Sequence, residues 1–310
     1  MRFKTFGDLQ TTLAGEIRFE GIGVHAGKPA SLVLRPAPAG NGIVFRRLFD
    51  DGREVAIPAR FDHVVNTDLC TVLGKDGVTV ATVEHLMAAL RALEVDNVDV
   101  EVDGPEVPIL DGSSAVFVAA ITETGLTVQA APRRAVRVLK PVRVERGDAF
   151  SELTPHEGCR FDVTIDFADP AIGRQHRLTD LSSAKFREEI ARARTFGFVG
   201  DVEKLWKMGL ALGSSLENSV AIADSRVVNA DGLRFPDEFV RHKTLDAVGD
   251  LALAGMPIIG AYRSFKGGHR MNVAVVEALF ADPAAYEIVT RPVARRGAAA
   301  TGDVALAVEI

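Results

Sequence analysis

The chain has 310 residues, 47% of them hydrophobic and 25% charged, with a formal net charge of −6. That length allows two domains of about 150 residues with real cores, and no apolar run approaches the roughly 18 residues needed to span a bilayer. The acidic balance and the lack of a basic cluster exclude a nucleic-acid partner held mainly through phosphates, and two cysteines, Cys70 and Cys159, supply neither a disulfide framework nor a CxxC metal knuckle.

The opening MRFKTFGDLQTTL lacks an apolar core and a small-residue cleavage site, so it is not a secretory signal and the cytoplasm is the expected location. To about Val128 the chain alternates β-like runs (IRFEGIGV, ASLVLRP, GIVFRR) with turns of Gly, Pro, Asn and Asp, the pattern of antiparallel sheet. VEHLMAALRAL predicts a helix, because Val83, Leu86, Met87, Leu90 and Leu93 form one apolar stripe. NVDVEV reads as a strand, DGPEVPILDGSS as a structured turn, and AVFVAAIT as a second helix. QAAPRR at 129 to 134 is the expected boundary between a first domain, 1–130, and a second, 131–310. The second half repeats the style, with strands at AVRVLKPVRVE and CRFDVTIDF and a helix SSAKFREEIARA capped by Ser182 or Ser183. Two halves that each run strands then helices suggest duplication. Leu205, Trp206, Met208, Leu210 and Leu212 form a dense apolar stretch that base rates assign to ordinary core. A helix over FVRHKTLDAVGDL and a strand-turn region, GAYRSFKGGHRMNVAVVEALF, close the domain, and the Ala/Gly-rich tail ARRGAAATGDVAL is expected to be loosely ordered until its last few residues.

Any metal must rest on histidines and carboxylates. At about 3.6 residues per turn, His242, Asp246 and Asp250 fall one above the next on one helix face. A His/Asp pair four residues apart brings two ligands to one ion, though taken alone such a pair is more often an exposed face with a local His–Asp contact. His25, His63, His156 and His176 lie in turn-like or polar contexts and read as surface. His85 follows Glu84 at a helix start, where a ligand and a carboxylate able to take a proton from water would stand side by side; exposed helix starts carry the same pair for dipole reasons. His269 ends the glycine turn Lys266-Gly267-Gly268-His269, which leaves the imidazole projecting.

TVEHLMAAL, DGPEVPILDGS, ARTFGF, FVRHKTLDAVGDLAL and KGGH occur in that order. Together they make the chain, over nearly its whole length, resemble the UDP-3-O-acyl-N-acetylglucosamine deacetylases, the zinc amidases of lipid A biosynthesis in Gram-negative bacteria. The resemblance implies an α+β fold of two similar domains, each a sheet layered with helices, with zinc at the cleft between them. It implies His85, His242 and Asp246 as zinc ligands, Glu84 as general base, His269 as general acid, Asp250 as the carboxylate orienting that histidine, and Thr195 as a partner of the zinc at the developing oxyanion. Asp166 and Phe167 match positions that contact uracil, Lys243 and Lys266 positions that contact the sugar-nucleotide, and Phe196 a further substrate contact. The stretch from about Val199 to Asn218 matches an acyl-chain passage. Ala149 departs from the pattern, since some members carry there a lysine that reaches the nucleotide phosphates.

The expected partner is an acylated UDP-amino sugar, with no nucleic acid, no stable membrane insertion and a monomeric chain. A zinc amidase acting on another N-acetyl sugar is the alternative enzyme. A silent binding protein would be expected to lose Glu84, His269 or a ligand, and all are present.

Overall fold

A computed structural model describes residues 8–290; the Ala/Gly-rich tail and the first seven residues lie outside them. In chain order the first half contains β1 (Leu9–Leu13), β2 (Ile17–Ile22), β3 (Pro29–Pro36), β4 (Ile43–Leu48), β5 (Glu54–Pro58), β6 (Val64–Asn66), β7 (Val72–Lys75), β8 (Val78–Val80), α1 (Glu84–Ala92), β9 (Val98–Val102), α2 (Ala115–Thr124) and β10 (Leu126–Pro132). Its main sheet runs β2-β3-β9-β4-β5, with β9 antiparallel to β3 and parallel to β4. The alternation expected of a half-buried strand is visible in β9, where Val98, Val100 and Val102 are buried and Asp99 and Glu101 are not. β6, β7 and β8 form a small separate sheet, and β1 pairs with β10.

The second half contains β11 (Arg134–Val138), β12 (Val142–Arg146), β13 (Ala149–Thr154), β14 (Cys159–Asp166), β15 (Arg174–Asp180), α3 (Ser183–Lys185), β16 (Phe196–Phe198), α4 (Val199–Lys207), β17 (Val220–Ala223), β18 (Arg226–Val227), α5 (Glu238–Ala252), β19 (Ile258–Phe265), α6 (His269–Ala281) and β20 (Tyr286–Thr290). Seven strands make one sheet around β19, which pairs antiparallel with β13 and parallel with β14 and β11. β16, β17 and β18 form a further, smaller sheet. The described residues therefore form a mixed α/β structure of several sheets and six α-helices, consistent with an α+β assignment.

Three local expectations need correction. The helix foreseen over 182–193 is a short α-helical turn, capped by the Ser182 hydroxyl accepting from the Lys185 N–H, that passes at once into a π-helical turn over Phe186–Ile190. The region after KGGH is a helix of thirteen residues, α6, rather than strand and turn. Its valines are poor helix formers in isolation, but Val273, Val275, Val276 and Leu279 share a buried face, and tertiary packing decides. The apolar stretch at 205–212 is not core, since Trp206, Met208 and Leu212 are exposed.

Two helices, one from each half, make the central contact. α1 is buried on every side, Glu84, His85 and Arg91 included. In α5 all residues but Arg241 and Lys243 are buried. They can approach closely because Gly249 of α5 faces the start of α1: a Cβ there would lie 2.0 Å from the Glu84 carbonyl oxygen. That neighbour is backbone and cannot swing aside. Gly249→Ala is expected to push the helices apart, costing about 1–3 kcal/mol of stability and most of the activity, as read by denaturant unfolding and turnover; unchanged stability would mean the spacing is not set here.

Candidate active site

α1 and α5 bring their polar residues to one point. His85 Nε2 lies 3.7 Å and His242 Nε2 3.3 Å from Asp246 Oδ1. The imidazoles meet edge to face with centroids 5.0 Å apart. Their donor atoms and the carboxylate oxygen all lie within 4.8 Å of one another, and all three residues are buried. The exposed-face reading of both helices is thereby overturned.

The protonation states suit a cation. His242 Nδ1 is 3.1 Å from the Ala193 carbonyl, which can only accept, so Nδ1 carries the proton and Nε2 offers its lone pair toward Asp246. Burial, with the neighbouring His242, pushes His85 down to about 3, and burial lowers His242 too. Both imidazoles are therefore neutral at ordinary pH. Burial would raise Asp246, but its neighbours, the Lys243 ammonium and the His269 imidazolium among them, outweigh it and hold the carboxyl far below the usual range. Asp246 Oδ1 is buried without a hydrogen-bond partner among the described residues. An orphaned anionic oxygen between two neutral imidazoles is costly unless something positive sits there, and two histidines plus one carboxylate form a donor set proper to a catalytic zinc.

A second group of residues adjoins the first. His269, the first residue of α6, places Nδ1 2.9 Å from Asp250 Oδ2. Its Nε2 stands 3.8 Å from Glu84 Oε1 and 3.9 Å from Asp246 Oδ2. Burial opposes charge on this imidazole, but Asp250 and Glu84 prevail and raise it to about 9. Burial, helped by the charges of Asp250 and Asp246 and opposed by His269, pushes Glu84 up to about 7. Both groups rise together and keep their order, so between about 7 and about 9 the carboxylate is able to accept a proton and the imidazole to give one.

Further supports come from turns. Glu106, within DGPEVP, accepts from the His25 and Ala26 N–H groups and from the Thr82 hydroxyl, which fastens the GVHAG turn beside α1. Gly112 of the LDGS turn has φ +78, and a Cβ on it would fall 1.8 Å from the Asn218 carbonyl. Its own carbonyl accepts from the Thr195 N–H at 2.8 Å. Thr195 is thus held at the cavity wall by backbone contacts on both sides, since its carbonyl accepts from the Val220 N–H. Phe196 packs edge to face on Phe167 and Phe239, with centroids 5.7 and 4.9 Å away.

All of this opens into one cavity of about 610 Å³. Glu84, His85, Thr195, Phe167, Phe196, His242, Lys243, Asp246 and His269 line it, and so do Val202, Leu205 and Met208 of the apolar segment. Lys243 donates to Asp246 Oδ2 at 2.7 Å, and although burial disfavours its charge, Asp246 raises its pKa. Lys266 and Asp166 are not among the lining residues; they sit 3.5 Å from each other, with Lys266 also 2.7 Å from Asp148. Asp250 lies behind His269, fully buried.

Sequence reasoning misplaced His25, which lines the cavity rather than the surface, while His63, His156 and His176 pair with Asp62, Asp180 and Asp162 and do not line it. It missed Thr71 and Asn272, whose side chains donate to Asp250 at 2.6 and 2.8 Å. No motif spacing could have revealed Thr71, which is 179 positions from Asp250.

A buried His-His-Asp set, a carboxylate beside it and a histidine–carboxylate pair facing both belong to the class of metal-assisted hydrolases. A family model described as UDP-3-O-acyl N-acetylglycosamine deacetylase matches residues 10–281. Proteins named UDP-3-O-acyl-N-acetylglucosamine deacetylase from Brucella ovis, Brucella canis and Brucella melitensis are each 53% identical over 281 residues, covering 90% of this chain and 98% of theirs. The chain belongs to this family of hydrolases of lipid A biosynthesis. No helix among the described residues is long and apolar enough to cross a membrane.

Proposed function

We propose that the protein hydrolyses the N-acetyl group of UDP-3-O-acyl-N-acetylglucosamine to the free amine and acetate, with zinc held by His85, His242 and Asp246. The observation that carries this is the meeting of Glu84, His269 and the orphaned Asp246 oxygen in one cavity whose far wall is the apolar segment 199–218. When bound, zinc supplies Lewis acidity: it lowers the pKa of water to about 7 and polarises an amide carbonyl. Glu84 takes the proton of the attacking water at Oε1. The Thr195 hydroxyl donates to the carbonyl oxygen as negative charge grows there. His269 then gives the proton on Nε2 to the leaving nitrogen, while Asp250 keeps Nδ1 protonated and the ring in place.

The same reading assigns the remaining roles. Phe167 and Phe196 present apolar faces for a base or sugar, Lys243 and Lys266 provide charge for the sugar-nucleotide, and Asp166 lies beside Lys266. It divides the chain into domains 1–130 and 131–310, with the metal site in the cleft between them; the separate main sheets of the two halves support the division. A monomer acting in the cytoplasm, where nucleotide sugars are made, completes it.

Incubation with the acylated UDP-sugar should release one acetyl group, seen by mass spectrometry of the product. Turnover of plain UDP-N-acetylglucosamine at an equal rate would overturn the substrate assignment. The purified protein is expected to hold about one zinc per chain by elemental analysis, and Asp246→Ala to lose both metal and activity while staying folded.

A carboxylate acting as base must be ionised and an imidazole acting as acid must be protonated. Glu84, raised to about 7, is active above that value, and His269, raised to about 9, is active below it. The profile of kcat/KM against pH should therefore be a bell. Asp250 raises both groups, so Asp250→Asn should move both limbs to lower pH and reduce the plateau; limbs that stay in place would remove Asp250 from this role.

The passage has its own test. Val202 and Leu205 on α4 line the cavity, and each buried methylene of an acyl chain contributes about 0.8 kcal/mol. Leu205→Trp should weaken long-chain substrates at least about tenfold more than short-chain ones, measured as the ratio of kcat/KM values. Equal losses at all lengths would show that the chain does not run there.

A further inference from the structure

Thr71 touches both halves of the proton-transfer machinery and is not among the cavity-lining residues. It is fully buried in the short connection before β7. Its backbone N–H donates to Glu84 Oε2 at 3.1 Å, and its hydroxyl donates to Asp250 Oδ1 at 2.6 Å. Its carbonyl accepts from the Val83 N–H at 3.4 Å, which joins the same residue to the entrance of α1.

The consequence lies in which oxygens remain. Each carboxylate has two, and Thr71 occupies one of each. The oxygen of Glu84 left over, Oε1, is the one 3.8 Å from His269 Nε2. The oxygen of Asp250 left over, Oδ2, is the one 2.9 Å from His269 Nδ1, where Asn272 Nδ2 also donates at 2.8 Å. A carboxylate with a free torsion could present either oxygen or rotate its plane away; with one oxygen anchored by a buried donor, the other is aimed. Hydrogen bonds to charged acceptors are the stronger kind, and losing one inside a protein leaves the acceptor without water to replace it.

We propose that Thr71 is a positioning residue for the reaction: one residue sorts the oxygens of the base Glu84 and of the acid's carboxylate Asp250, so that the oxygens it leaves, Glu84 Oε1 and Asp250 Oδ2, face His269. The inference rests on the roles assigned above to Glu84, His269 and Asp250. It concerns the geometry of proton transfer and not the binding of substrate, because Thr71 does not line the cavity.

Thr71→Val keeps the shape and the backbone N–H and removes the hydroxyl; Thr71→Ser keeps the hydroxyl. The zinc-loaded full chain should show kcat reduced by about ten- to a hundredfold in Thr71→Val, with KM and zinc content unchanged, and restored to within about threefold in Thr71→Ser. In an Asp250→Ala background, Thr71→Val should cost less than about twofold more, because the partner it acts through is gone. Wild-type kcat in Thr71→Val, or an equal loss in Thr71→Ser, or a full additional loss in the Asp250→Ala background, would each overturn the inference. His269→Ala and Glu84→Gln are measured alongside. If both lose activity while Thr71→Val does not, only this inference fails; if either keeps the wild-type rate, the assignment beneath it fails as well.

Discussion

The closeness of α1 to α5 is the constraint on which the site depends. Glu84 and His85 have no reason of their own to be buried, and carboxylates and imidazoles seldom are unless paired. They are buried because α1 lies against α5 at the distance a glycine permits, with the Glu84 carbonyl over Gly249. Any larger residue would move Glu84 and His85 relative to His242 and Asp246 by roughly the width of a methyl group. Misplacements on the order of an ångström are enough to impair catalysis strongly. The most consequential residue in the helix pair is thus one with no functional group.

Burial and close neighbours then set the electrostatics between them. In water Glu84 and His269 would titrate in the ordinary carboxylate and imidazole ranges. Enclosed together, the first is pushed up to about 7 by burial and against the charge of His269, and the second to about 9 by Asp250 and Glu84 against burial. Asp246 moves the opposite way and stays ionised, with the Lys243 ammonium and the His269 imidazolium beside it. One pocket thereby holds a carboxylate that stays ionised beside a carboxylate able to accept a proton, and the difference comes from neighbours rather than residue type.

Much of this was legible in the sequence, and what was not has identifiable reasons. The ladder His242, Asp246, Asp250 follows from helix periodicity alone, and the stripe Val83 to Leu93 foretold a buried α1. Periodicity says which residues share a face but not what that face meets, so Glu84 and His85 could equally have been solvated. α6 was missed because glycines and β-branched residues weigh against a helix locally, while the face of Val273, Val276 and Leu279 has value only once packed. His25 looked peripheral because it sits in a turn; Glu106, 81 positions away, holds that turn against the cavity. The apolar run at 205–212 looked like core because composition does not distinguish a core from the wall of a cavity.

The metal-ligand candidates come from helices in opposite halves of the chain, and Thr71 is tied to Asp250 across 179 positions. A site so assembled cannot exist in part. During synthesis α1 is complete long before α5 emerges, and closing a loop of that length precedes any reward from the contacts it makes. Neither helix alone offers a full ligand set, so tight metal capture must follow the docking of the two halves, and the ion meets a chain that has already passed its slowest topological step.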